Sequence, residues 1–254
     1  MEKRIIARGL LSGAIGGVLA FLFARIFVEP VIDQAIAYED AAAEAAAHAH
    51  GTHEHGVELF TRGVQANIGM GFGVLAFSIA MGALFAVAYC VAYGRVGNIS
   101  PRLLSVLLAG GMFLSLYVIP FLKYPASPPA LSLDDTIRQR TLLYLLMVVL
   151  SAALLIGAVY AGRRLAAQLG AWNATLVAAG GYVVAVAVVM LVLPSIHETP
   201  GDFPADVLYE FRLYSLGTQL VMWAAIGLVF APMVARLLGE TRRAEGISSQ
   251  GVGA

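Results

Sequence analysis

A single cysteine among 254 residues, Cys90, excludes a disulfide framework or a thiolate zinc site built within one chain. It falls in an apolar stretch and reads as a small buried hydrophobe. Charge is scarce as well: Asp, Glu, Lys and Arg make up 13% of the chain, and 16 basic residues balance 16 acidic ones. That balance offers no attraction to nucleic acid, and no basic segment interleaved with aromatics appears, so no nucleic acid partner is expected. The chain also lacks GxxxxGK[ST], GxSxG and HExxH, so no enzyme is expected and no nucleotide-driven motor can be built from these residues alone. What the sequence does have is apolar surface. At 59% hydrophobic residues and a mean hydropathy of +0.81, it carries more than a water-soluble core could hide, and a lipid bilayer is the expected surrounding.

Hydropathy marks six stretches, residues 9–28, 68–93, 102–122, 141–162, 172–193 and 214–238. Each has about the 20 residues a helix needs to cross roughly 30 Å of hydrocarbon, and none alternates with the period of a barrel strand. The expected fold is therefore all-α: one integral membrane domain over residues 1–254, a bundle of six transmembrane helices. Lys3, Arg4 and Arg8 precede the first run, which is longer than a signal peptide's apolar core and lacks a clear cleavage site, so it reads as a retained helix.

Orientation follows from the basic residues. With both termini cytoplasmic, that face holds Lys3, Arg4, Arg8, Arg95, Arg102, Arg163, Arg164, Arg236, Arg242 and Arg243 against Glu2, Glu240 and Glu245. The opposite face gathers most of the acids in three outer loops, 29–67, 123–140 and 194–213. Each loop has a proline near the end of one span, then acids, then an arginine before the next: Pro30, Glu58, Arg62; Pro120, Asp134, Arg138; Pro194, Asp206, Arg212. This layout is consistent with three related hairpins, although prolines and charges also gather at helix ends for ordinary reasons. Small residues four apart, Gly9, Gly13 and Gly17, Gly69 with Gly73, and Ser78 with Gly82, predict close helix packing.

Four of the five histidines, His48, His50, His53 and His55, lie within ten residues of the first outer loop, with Glu54 among them. Asp40, Glu44 and His48 are spaced i, i+4 in an alanine-rich stretch and would form one stripe on a helix that Gly51 should end. His50, His53 and His55 are then expected on a turn. Imidazole and carboxylate together suit Co²⁺, Ni²⁺, Zn²⁺ and Cu²⁺; the competing reading is a solvated polar loop with a compositional bias. In the third loop, His197 and Glu198 could extend a metal path, while Asp202 and Asp206 could join it or cap the next helix. Glu29, Asp33 and Glu39 lie near a span end, where carboxylates are costly unless paired or wet, and are candidates for an ion path or for pairing with Arg25 or Arg62.

Five strings together resemble the CbtA family of proposed cobalt transporter subunits: EPVIDQAIAYE (Glu29 to Glu39), YGRVG (Tyr93 to Gly97), PFLKYPASPPA (Pro120 to Ala130), AWNATL (Ala171 to Leu176) and DFPADVLYEFRLYSLGTQ (Asp202 to Gln219). The resemblance runs from the first span to the last. It implies a multi-span bacterial membrane protein linked to cobalt supply for cobalamin, often beside a small single-span subunit with a short histidine motif. It also implies motif roles for Glu29, Asp33, Glu39, Lys123, Asp202, Arg212 and Gln219. At His197 the family usually has a different polar residue.

The reading is thus a multi-pass permease subunit of the bacterial inner membrane that takes up a divalent transition metal, cobalt by resemblance, with no resident cofactor and with homo-oligomerisation left open. The rival is a non-transporting membrane accessory, or a metal-sensing partner of a separate pore. Efflux is a third reading, disfavoured by an outward-facing collecting loop.

Overall fold

The computed structural model describes residues 2–50, 61–97, 99–129, 134–196 and 199–251. Helix dominates: α1 (Glu2–Phe23), α2 (Glu29–His50), α3 (Arg62–Val64), α4 (Met70–Ala92), α5 (Pro101–Phe113), α6 (Ile119–Lys123), α7 (Asp134–Val192) and α8 (Ala205–Gly251). No strand occurs among the described residues. Five helical runs are long and apolar enough to cross a membrane: Glu2–Ala45, Arg62–Ala92, Pro101–Lys123, Thr136–Val192 and Ala205–Gly239.

The fourth run, 57 residues, would extend about 85 Å as a straight helix, nearly three times the hydrocarbon thickness. It does not run straight. Gly170 has φ 75° and ψ 159°, a conformation essentially restricted to glycine, and the chain doubles back there. A Cβ placed on Gly162 would lie 3.1 Å from the Cβ of Ala178, and the hydroxyls of Ser151 and Tyr182 meet at 3.0 Å. The expected break between the fourth and fifth hydropathic stretches is therefore a single glycine rather than a loop.

Wide π-helical turns interrupt the helices at Ala24–Val28, Gln65–Gly69 and Leu114–Val118. Two have a visible cause. Pro30 and Pro120 follow the first and third, and proline lacks the N–H that would bond the carbonyl four residues back while its ring crowds that carbonyl, so the helix widens. At the third turn the released carbonyl of Leu116 accepts the Tyr144 hydroxyl at 3.5 Å.

The chain forms two compact units. The first comprises Met1–Arg25, Leu59–Gly110 and Gly217–Ala254, the second Ile26–Glu58 and Gly111–Leu216. In the first, α1 and α4 touch backbone to backbone. A Cβ on Gly13 would meet the Ser78 carbonyl and lie 3.1 Å from the Gly82 Cα; one on Gly9 would meet the Gly82 carbonyl and the Ala86 Cβ. Gly17 faces the Ser78 Cβ at 3.0 Å. Among the described residues the expected close packing at Gly69 and Gly73 does not occur: a Cβ on Gly69 would come no nearer than 3.8 Å to another element's atoms or the Val64 carbonyl, and one on Gly73 would have nothing within 4 Å. Phe85, Tyr89 and Phe230 complete this core, with Phe230 edge-on to both rings at 5.1 Å.

The second unit is built around Tyr124, Met147, Tyr182 and Val186, with Leu114, Ile119 and Tyr144 packed on them. Its long hairpin buries little. Val149, Ile156, Val184 and Leu191 are 63%, 71%, 64% and 85% exposed, an all-round apolar surface suited to lipid and not to water.

Candidate functional site

The alanine-rich stretch is helical, as its spacing predicts. Asp40, Glu44 and His48 all lie on α2 and are exposed, so the acid–acid–imidazole stripe exists along one side of a helix, each step about 6 Å. His50, expected on a turn, is instead the last residue of α2, because alanine is the strongest helix former and the run before it is nearly all alanine. His53, Glu54 and His55 lie outside the described residues, as do His197 and Glu198 of the third polar segment. Among the described residues no three His, Cys, Asp or Glu side chains come together as a metal site.

Glu29 is the exception among the candidate path carboxylates. It opens α2 directly after a π turn and is 3% exposed, whereas Asp33 and Glu39 are exposed. Glu29 and Asp33 both have partners, which a carboxylate as buried as Glu29 requires. Arg25 directs its Nε to the Asn67 side-chain oxygen at 2.9 Å.

Asp202 and Asp206 separate in role. Asp206 occupies the first turn of α8, where a carboxylate complements the unpaired amides and the helix dipole. Asp202 is exposed and accepts a hydrogen bond from the Tyr38 hydroxyl. That bond, then burial, then the carboxylate's charge hold the Tyr38 phenol above its ordinary 10.0. Phe203 packs edge-on against the Tyr38 ring at 5.0 Å. The Tyr38 face of α2 is thereby joined to the segment leading into α8.

The strongest polar constellation is one that ligand-type reasoning passed over. In the string PFLKYPASPPA, the Tyr124 hydroxyl donates to the Pro194 carbonyl at 2.8 Å and the Lys123 ammonium reaches Ser195 Oγ at 3.0 Å. An Arg140 guanidinium nitrogen donates to the Pro125 carbonyl at 2.6 Å, and Arg212 Nε to the Ala126 carbonyl at 3.3 Å. Irregular backbone at a span end leaves carbonyls without helical partners, and here arginines from the starts of α7 and α8 take two of them. The layout of proline followed by an arginine ahead of the next span was the available signal. In the second segment, however, the bracing residue is Arg140, while Arg138 is exposed.

No curated protein and no solved structure matches the chain. The model of one protein family, described as "Probable cobalt transporter subunit (CbtA)", matches residues 2–235. With that match covering nearly the whole chain, and with several helices long and apolar enough to cross a bilayer, the chain belongs to the CbtA family.

Proposed function

We propose that this protein is a cobalt-uptake subunit of the bacterial inner membrane, with six spans, both termini cytoplasmic, and the His- and acid-bearing segments facing outward. The break at Gly170 supports counting the fourth run as two spans, and the basic residues at the termini, at 95 and 102, and at 163 and 164 support a cytoplasmic address for those ends. One observation carries the reading: the exposed stripe Asp40, Glu44, His48 rises along α2 from a buried carboxylate, Glu29, toward the histidine-rich run 50–55. A cation drawn to the imidazoles meets Glu44 and Asp40 at one-turn intervals, with Asp33 two turns further along α2 and the desolvated Glu29 one turn beyond that. Loose ligation by a few imidazoles favours capture and release over storage. Imidazole and carboxylate donors would hold nickel or copper more tightly than cobalt, so selectivity must come from geometry and supply.

Cobalt accumulation in cells with and without the gene tests the reading, and equal uptake at limiting cobalt rejects it. The family's description as a subunit favours a second reading, in which this chain serves a separate pore. Flux of Co²⁺ into liposomes holding only this chain separates the two: flux supports the permease, and flux that requires a second chain supports the accessory. A peptide of residues 39–58 should lose Co²⁺ affinity at least tenfold between pH 7.5 and 5.5. Imidazole protonates through about pH 6.5 and cannot ligate once charged. Calorimetric titration at the two pH values measures this, and equal affinities count against capture by His48 and its neighbours.

A further inference from the structure

Five serines are buried among the described residues, and four of them are satisfied. Ser12 and Ser115 donate to carbonyls one turn back, at Gly9 and Gly111, Ser105 donates to the Gly227 carbonyl, and Ser151 pairs with Tyr182. Ser78 differs. It is fully buried, and its Oγ has no hydrogen-bond partner among the described residues.

The contact with α1 explains why this position is small, because a Cβ on Gly17 would lie 3.0 Å from the Ser78 Cβ. It does not explain the oxygen, since alanine would pack there without a polar atom to satisfy. A buried hydroxyl left unsatisfied generally costs more than holding one ordered water against it. Hydrocarbon supplies no substitute.

Ser78 lines a cavity of about 160 Å³ that lies within the first unit. Its polar lining comes from two helices, Ser78 from α4 and Thr218 with Gln219 from α8. Thr218 has a partner of its own, while Gln219 is half-buried and carries both a donor and an acceptor. Val74, Phe77 and the buried Met222 make up much of the remaining wall, and no ionisable side chain joins them among the described residues. Ser78 and Met222 fall near the middles of the runs Arg62–Ala92 and Ala205–Gly239, so the cavity is deep within the spans. A metal ion lodged at that depth would need charged ligands that this wall lacks. An acyl chain could cover the apolar wall but offers Ser78 nothing. The ligand that fits is neutral, small, and both donates and accepts hydrogen bonds. Water meets all three conditions, and at roughly 30 Å³ each several molecules have room.

We propose that this cavity holds a cluster of ordered waters bound by Ser78 and Gln219, a hydrated point in the depth of the first unit. The assignment stands whether or not the chain conducts metal.

Radiolytic hydroxyl-radical labelling of the full chain in phospholipid nanodiscs, read by mass spectrometry, tests the site, because the radicals form from water and mark the side chains that touch it. Two buried methionines give the comparison. Met222, 2% exposed, lines the cavity, whereas Met147, 0% exposed, packs among Tyr124, Tyr182 and Val186 in the second unit. Met222 should be oxidised severalfold faster than Met147 at equal dose, and in the double variant Ser78→Ala, Gln219→Leu its rate should fall to that of Met147. Equal rates in wild type, the result for a dry cavity or one filled by an acyl chain, overturn the proposal. A Met222 rate undiminished in the variant places the water on other groups and overturns it too. Should the double variant fail to fold, the wild-type comparison decides alone.

Discussion

The first unit joins α1 to α4 where side chains are missing, at Gly9, Gly13 and Gly82, while the second ties its helix ends together with side chains that reach across, from Tyr124, Arg140, Arg212 and Lys123. The difference follows from what each region must satisfy. Regular helices in hydrocarbon have their backbone bonds made internally and gain by close van der Waals approach, so small residues serve them best. Helix ends and the proline-rich segment beside them expose unpaired carbonyls, and only long donors can satisfy those.

This contrast can be broken most severely at Gly82. A Cβ there would meet the Gly9 carbonyl and lie 2.8 Å from the Gly13 Cα, so the backbones themselves must separate. Gly82→Leu should cost more than about 3 kcal/mol and yield no folded protein in detergent, whereas Gly73→Leu on the same helix, with open space around it, should fold as wild type. Thermal unfolding followed by size-exclusion chromatography compares the pair. In the second unit the counterpart is Gly170. Gly170→Ala should destabilise by about 1–3 kcal/mol, from backbone strain and not from any clash, since nothing lies within 4 Å of it.

Side-chain ties should give smaller effects. Tyr124→Phe removes the bond to the Pro194 carbonyl and should cost about 1 kcal/mol, read from the same melts. The smallest change is spectroscopic. Asp202→Asn should move the Tyr38 phenol back toward 10.0, detected as an earlier tyrosinate absorbance rise in a difference titration against Tyr38→Phe. Because the folded pKa is the raised one, the Tyr38–Asp202 bond is intact below about pH 10 and is lost as pH climbs through the raised value. Unchanged titration would deny that bond a place among the ties of the second unit.

Much of the architecture was legible in the residues. Length and hydropathy located the long apolar helices, and the i, i+4 spacing of Asp40, Glu44 and His48 is that of a stripe on the helix the alanine-rich stretch forms. Spacing misled where partners decide the outcome: Gly69 and Gly73 repeat like Gly9 and Gly13, yet only the latter meet another backbone. Counting ligand types drew attention to histidines and acids. The tie points at Pro125 and Ala126 escaped that search because their acceptors are main-chain carbonyls, which no residue-type pattern marks.

Two guanidiniums clasp consecutive peptide units of one short proline-rich stretch, so the beginnings of α7 and α8 share a common anchor. Any movement of one of these helix starts must carry the other with it. Slippage must then be taken up farther along, at points such as the widened turn 114–118, whose backbone is already loosened from regular winding.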